Sequence, residues 1–370
     1  MEVSTITAIL DTTLGVVLTF VAYKTGQIIW KYTPYSYPNA RIRAMEARLL
    51  SDQRIEELAE SKNLQNFVVN LEDSDYGERL TSIEKVNLKN IELALELSLV
   101  DLLELMVKIM PKRVKGFFEL LLEEWDVRNI SNIVKAKLSN LPAQDYIIPA
   151  GRMYQKVKAM IEAKTMEELL VILEGTEYEE PLRKLLLKEI SLEEFELELY
   201  RLHYQKLLNY ATSRRGEEKT ILLEFVRLLI DQKNISSVLR AKSASMPSEE
   251  IKKLIIEGGS LSKVTLDAMI NAEDPIMAIG ELEGTKYGEI IREVREDIEQ
   301  GRLDTVEIAL RKFMIARMKE LAQFYPLSVA VALAYILERE REIRKLKAVA
   351  KLLSDGIRAE KIKQIVGEVA

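Results

Sequence analysis

Cysteine is missing from all 370 residues. Its absence rules out disulfides, thiolate metal sites and a cysteine nucleophile, and it fits a reducing compartment. Histidine is almost missing too. His203 stands alone between Leu199 and Leu208 on an expected helix, where a lone imidazole reads as a packing or surface residue, not a ligand or general base. Glycine (15 residues) and proline (9) are scarce and aromatics make up only 6%. With Leu, Ile, Glu and Lys prominent, this is the composition of a helical protein rather than a sheet.

Catalytic signatures are absent as well. No P-loop, G-x-G-x-x-G, G-x-S-x-G or H-E-x-x-H pattern occurs. Acidic pairs such as Glu123/Glu124, Glu179/Glu180 and Glu249/Glu250 are common. They carry no weight alone, because catalytic carboxylates need environments that drive their pKa values apart. Gly258-Gly259 closes a helical pattern and precedes Ser260, so it reads as a helix end followed by a cap and not as a phosphate loop. No catalytic, cofactor-binding or metal site is expected. The net charge of −6, with both signs interspersed, leaves no broad basic face for nucleic acid. The densest basic run, Arg339–Lys351, is broken by Glu340 and Glu342 and reads as a solvated helix face.

What the chain does have is a motif in three copies. Leu71-Glu72-Asp73-Ser74-Asp75-Tyr76, Leu173-Glu174-Gly175-Thr176-Glu177-Tyr178 and Leu282-Glu283-Gly284-Thr285-Lys286-Tyr287 are followed by Glu78, Glu180 and Glu289. Recurrence at a long period marks a chain built from copies of one unit. Upstream lie Ala44-Met45, Ala159-Met160 and Ala268-Met269. The first pair stands 31 residues before its tyrosine and the others 18, which implies an insertion in the first unit. Downstream, an acid-x-base segment opens with Asp126/Arg128, Asp231/Lys233 and Glu342/Arg344, and Lys135, Arg240 or Lys351 follows nine residues after each acid.

Capping chemistry supports the register. Asn63, Thr165 and Asp274 stand 13 residues before the tyrosines, and all are N-cap types. Thr165 and Glu168 have capping-box spacing, and Pro275 suits a first helical position. Asp73, Gly175 and Gly284 share a column where a short helix would stop. The tyrosines read as packing anchors with a bonded hydroxyl, since a catalytic tyrosine would not need three copies. Helical spacing of apolar residues runs through Glu92–Met110, Glu119–Lys137, Leu192–Thr212 and Leu327–Leu353. The length exceeds what one core usually supports.

The N-terminus differs. Ile6 to Tyr23 is mostly apolar, interrupted by Asp11 and a few threonines, and as a helix it spans about 27 Å. Bases follow it (Lys24, Lys31, Arg41, Arg43) and Glu2 precedes it, so an anchor here would leave the body in the cytoplasm. The lack of a basic leader disfavours a secretory signal. Pro34 and Tyr35–Pro38 are expected to break this helix and separate anchor from body.

At that junction a family resemblance becomes specific. Tyr35-Ser-Tyr37-Pro-Asn39-Ala40-Arg41-Ile-Arg43-Ala44-Met45, with Leu49-Leu50-Ser51 after it, resembles the opening signature of the C subunit of the archaeal A-type ATP synthase, known as the d subunit in V-type ATPases. The likeness continues through the three Leu-Glu-x-x-x-Tyr turns and Glu342-Ile-Arg344-Lys-Leu346, where Lys345 departs from the usual Asn. The apolar N-terminal stretch lies outside the family's common core.

The resemblance implies an all-α protein of three homologous helical domains in a pseudo-threefold funnel, to which this chain adds the apolar N-terminal helix. Expected boundaries are 1–34 for the anchor helix and 35–149, 150–258 and 259–370 for the repeat units. It also implies a non-catalytic rotor subunit, one copy per complex. Such a protein seats the central stalk, made of the D and F subunits, on the proteolipid ring at the cytoplasmic side of the cell membrane and transmits torque. Contacts of that kind are broad, so single alanine changes should be mild and charge reversals worse. An alternative is a membrane-tethered helical-repeat scaffold, although units of about 110 residues are long for a solenoid. A third reading, an enzyme using the repeated tyrosines and acids, requires turnover by the isolated chain.

Overall fold

The computed structural model describes the backbone of residues 2–368 and the side chains of residues 13–367. Every regular element among the described residues is helical, as composition and periodicity demand. The long first helix α1 (Glu2–Glu46) leads into short helices α2 (Asp52–Leu58), α3 (Leu64–Val69) and α4 (Gly77–Thr81), then a long pair, α5 (Leu88–Ile109) and α6 (Lys112–Leu138). The same order returns as α7 (Tyr154–Glu162), α8 (Met166–Leu173), α9 (Glu179–Leu186), α10 (Leu192–Ser213) and α11 (Gly216–Ser243). After α12 (Ser248–Lys253) it returns again as α13 (Lys263–Asn271), α14 (Pro275–Gly280) and α15 (Gly288–Glu293). There α16 (Arg295–Glu299) intervenes before the long pair α17 (Asp304–Phe324) and α18 (Ala330–Ser354), and α19 (Ala359–Glu368) ends the chain.

The local chemistry is shared by all three segments. Asn63, Thr165 and Asp274 each accept a backbone N–H from the residue three positions on, at 2.9, 3.2 and 2.8 Å. Pro275 takes the first helical position. The reciprocal half of the expected Thr165 box does not form, because Glu168 turns to the backbone N–H of Lys164 at 2.6 Å. A complete capping box occurs instead at Ser191 and Glu194, opening α10.

The register of the first segment needs a correction. Met160 and Met269 are fully buried 18 residues before their tyrosines, and the residue at that distance from Tyr76 is Leu58, also fully buried. The N-caps of α2, α7 and α13 (Ser51, Met153, Ser262) likewise stand 25 residues before each tyrosine. No insertion separates the first segment from the others. Ala44-Met45 lies in the last turn of α1 and copies the letters of the motif without its place.

The expected helix break at Pro34–Pro38 is also corrected: α1 runs unbroken through both prolines. A proline inside a helix costs about 3 kcal/mol locally, but here tertiary contacts override that. Tyr35, Asn39 and Ile42 are buried, and the Tyr35 hydroxyl donates to Glu218 at 2.8 Å. Arg113 pairs with Glu218 and donates to the Lys31 carbonyl. The Asn39 amide donates to the carbonyls of Pro326 (3.0 Å) and Ser328 (3.1 Å). Residues 31–42 therefore cross the turns that join all three long pairs. From Leu14 to Trp30 the apolar side chains of α1 are exposed. Among the described residues no helix is long and apolar enough to cross a membrane. The side chains of Ile6–Thr12, including Asp11, lie outside them.

The six long helices close a ring, packing in the order α5, α6, α10, α11, α17, α18 and back to α5. The short helices lie outside it, and their cores are shared between segments. Val127, Ile130, Ile133 and Val134 of α6 are buried in one cluster with Met160, Leu173, Tyr178 and Leu182 of the following short helices.

Candidate functional site

Asp126, Asp231 and Glu342, the acids that open the downstream motif, sit in the middle of α6, α11 and α18 and are buried. Each reaches forward to the segment that follows in the ring. Asp126 accepts the backbone N–H groups of Arg152 (2.8 Å) and Met153 (2.9 Å) at the start of α7. Asp231 accepts those of Ser260 (2.9 Å) and Leu261 (3.2 Å) before α13, together with the Ser260 hydroxyl. Glu342 accepts the N–H of Leu50 (3.0 Å) before α2, so the third segment grips the first.

One turn on, at the next position that faces the same way, Asn129 and Asn234 add a second hold. Asn129 donates to the carbonyl of Ile148 (2.8 Å) and accepts its N–H (3.0 Å); Asn234 does the same with Ile256, both at 2.8 Å. Lys345 occupies the third such place and pairs with Asp52 at 2.7 Å. The departure from Asn thus answers a different partner: in the first segment this approach is made by the start of a helix with an acidic first turn.

The glycine pair also finds its role here. Its expected place at a helix end followed by a cap is not observed, since α12 has already stopped at Lys253 and the cap of α13 is Ser262. A Cβ on Gly259 would stand 2.2 Å from the Asp231 carboxylate. The bare backbone is what lets the acid in.

The three tyrosines pack beside the clamps, and the expected bonded hydroxyl is met at Tyr287, whereas the Tyr76 hydroxyl is buried without a hydrogen-bond partner among the described residues. All are at most 1% exposed. The Tyr287 hydroxyl donates to Asp231 at 2.7 Å; Tyr178 lies near Asp126 and Tyr76 near Glu342. Burial, reinforced by neighbouring carboxylates, raises all three phenols far above their ordinary range. Burial likewise raises the Asp126 carboxyl to about 6, against the two N–H groups that favour its charged form. A cation lies over each ring: Arg339 at 3.8 Å, Lys206 at 5.8 Å and Lys286 at 5.3 Å from the centroids. These phenols are fixed in place and hold their protons, which makes them anchors. Glu78, Glu180 and Glu289 lie exposed in the first turns of α4, α9 and α15, where they favour the helix dipole. His203 is buried against Tyr204, and its burial lowers the imidazole to about 4.

The acidic pairs resolve into ion pairs. Glu123 holds Arg152 (2.9 Å) and Lys206 (2.7 Å), Glu179 holds Arg183, and Glu249 holds Lys252 (2.6 Å). The run at Arg339–Lys351 is not a solvated face: Arg339, Glu342 and Lys345 are at most 4% exposed. Its polar residues face the clamp on one side and the centre of the ring on the other.

That centre is a cavity of about 360 Å³ lined by all six long helices. The bases of the acid-x-base motif, Arg128, Lys233 and Arg344, all line it. Of the bases nine residues after each acid, only Arg240 does; Lys135 pairs with Glu196 and Lys351 with Asp355 elsewhere. Arg128 meets Glu96 at 2.7 Å, Lys347 also meets Glu96, and Arg240 meets Glu307. Glu340 opens onto the cavity yet lies deep in the protein. Burial raises its carboxyl to about 7, with Glu124 and Glu96 adding to the rise and Arg344 and Arg311 opposing it. Arg311, Tyr200 and Tyr204 also line the cavity, and no repeated pattern in the sequence marks them. The repeated base two residues after each acid is the signal that points to this cavity.

The raised Glu340 carboxyl has a measurable result. Between its ordinary 4.5 and about 7 the folded chain keeps a proton that the unfolded chain releases, so this group makes stability fall as pH rises through that window. His203 acts the other way between about 4 and 6.5, where stability falls as pH drops. Thermal unfolding from pH 5 to 8 should therefore be compared between wild type and Glu340→Gln. The substitution should flatten the Glu340 slope, with a gain of about 1–2 kcal/mol at pH 8 once cavity water screens the charge. Parallel curves would show that Glu340 titrates normally.

Six long helices closed into a ring and locked by acid-to-backbone clamps define a class of all-helical ring protein. Comparison with known proteins makes it particular. Residues 38–365 match the family described as ATP synthase (C/AC39) subunit, and the chain belongs to that family. It is 71% identical over 370 residues to the A-type ATP synthase C subunit of Pyrococcus abyssi, covering all of both chains. It is 59% identical over 370 residues to that of Thermococcus onnurineus, again covering all of both. The corresponding protein of Methanocaldococcus jannaschii is 32% identical over 377 residues, covering 96% of this chain and 93% of that one. The chain is an ATP synthase subunit.

Proposed function

We propose that the protein is the non-catalytic adapter of an A-type rotor, present once per complex, seating the D and F subunits of the central stalk above the proteolipid ring. The closed ring of six long helices around one polar cavity carries this reading. It supports a three-unit funnel with boundaries at 35–149, 150–258 and 259–370, and it disfavours a solenoid, whose ends stay open. Torque needs a seat that resists shear in every direction, and mutual clamping of three segments supplies one. Helix α1 leaves from the turns of the long pairs. Along α6, Phe117 near that end lies about 16 Å from Arg128 at the cavity. In this reading the exposed apolar helix faces the membrane and its proteolipid ring on the cytoplasmic side, and the stalk enters from the opposite end.

The natural absence of cysteine makes the test direct. A single cysteine at Gln232, facing the cavity, and another at Leu18, on the exposed helix, are each given a short photo-cross-linker in the assembled complex. The Gln232 probe should capture a stalk component and the Leu18 probe a proteolipid or lipid. Capture of a stator component from Gln232, or of the stalk from Leu18, would overturn the reading.

A further inference from the structure

The central cavity holds more positive charge than its own acids neutralise. Six basic side chains line it against four carboxylates, and the existing pairs leave three bases underused. Among the described residues Lys233 has no carboxylate partner; its ammonium lies over the Tyr200 ring, 4.6 Å from the centroid. Arg311, which has no ion pair among the described residues, reaches the Gln232 oxygen in the amide orientation that satisfies both groups (3.1 and 3.3 Å). Arg344 stands 3.9 Å from Glu340, the long limit of an ion pair, and Arg311 repels it. Burial and that repulsion lower the Arg344 guanidinium to about 10, and burial lowers the Lys233 ammonium. Three helices thus point incompletely neutralised, half-buried cations into one half-open space. That arrangement costs stability unless something negative joins it.

The cavity lies on the axis of the ring, between all six long helices, so a stalk seated on the protein would present the residues of its tip to these cations.

We propose that the cavity receives acidic side chains from the tip of the stalk, which pair with Lys233, Arg311 and Arg344 and complete the charge balance of the ring. This rests on the seating role proposed above and adds the chemistry of the contact. Buried charge pairs between partners fix orientation and slow dissociation, which is what a torque-bearing joint requires.

The test uses the full chain and the assembled stalk of D and F subunits, with affinity measured at several salt concentrations. The double variant Lys233→Gln/Arg311→Gln should bind about tenfold or more weakly and show a shallower salt dependence. Its own Tm should be unchanged or higher, because like charges no longer face each other. A merely structural role would lower Tm instead. Neutralising the acidic residues at the stalk tip should weaken binding to wild type by a similar factor and leave binding to the double variant unchanged. If the stalk binds wild type and double variant equally, with the same salt slope, the charge pairing is wrong and the seating role stands. If the stalk does not bind wild type at all, both fall.

Discussion

Asp231→Ala should lower the Tm of the isolated protein by about 5–7 °C. The carboxylate is fully buried and accepts from two backbone N–H groups and the hydroxyls of Ser260 and Tyr287. Alanine supplies no acceptor. Each donor left without a partner in the interior costs about 1–3 kcal/mol, so even with one recovered by water the loss is about 4–5 kcal/mol. Asp231→Asn keeps an acceptor for the two N–H groups and should lose less than half as much. Tyr287→Phe removes one donor from the same network. The double variant Asp231→Ala/Tyr287→Phe should therefore be more stable than the sum of the single losses predicts, by about 1–3 kcal/mol. Thermal unfolding of the four proteins decides it. A Tm for Asp231→Ala within about 1 °C of wild type would mean that the clamp carries no load.

Gly77→Ala should be worse for its size than any other single-methyl change, and it should be rescuable. A Cβ there would stand 1.9 Å from the carbonyl oxygen of Glu72, and one on Gly288 would stand 2.1 Å from that of Glu283. Both obstacles are backbone, so no side-chain rotation relieves them. Yet the second segment carries Glu179 at the same place. There Glu174 is extended (φ −51°, ψ 134°) and Gly175 has φ +73°, which together are the dihedrals of a type II turn. The flipped peptide points its carbonyl away and leaves room for a side chain. Gly77→Ala alone should destabilise by about 3 kcal/mol or more. Adding Asp73→Gly, which permits the positive φ, should restore much of that by allowing the first turn to adopt the form of the second. Equal stability of the single and double variants, measured by denaturant unfolding, would reject this account.

That comparison shows what the sequence could and could not convey. Helices, caps and the three tyrosines were legible because they depend on neighbours within a few residues. Asn63, Thr165 and Asp274 cap as their types demand. Leu58 was hidden by chemistry: Leu replaces Met in a core at little cost, so the letters Ala-Met at 44–45 drew attention to the wrong place. Pro34 and Pro38 misled because a local helix penalty is outweighed by contacts to Glu218, Pro326 and Ser328, far along the chain. The recurrence of Asp126, Asp231 and Glu342 was visible, but not their targets, since a carboxylate that accepts backbone N–H groups leaves no partner side chain to find. Arg339 and Lys345 looked solvated because the ring gives α18 two inward-looking sides, one toward the clamp and one toward the cavity.

The hold of Glu342 on Leu50 spans 292 positions. During synthesis the opening short helices must wait for Glu342 before their own clasp exists. At roughly 5–20 residues per second that delay is on the order of tens of seconds. The nascent chain spends it as an open arc with one unguarded lip, and the circle shuts only when its last long helix leaves the ribosome.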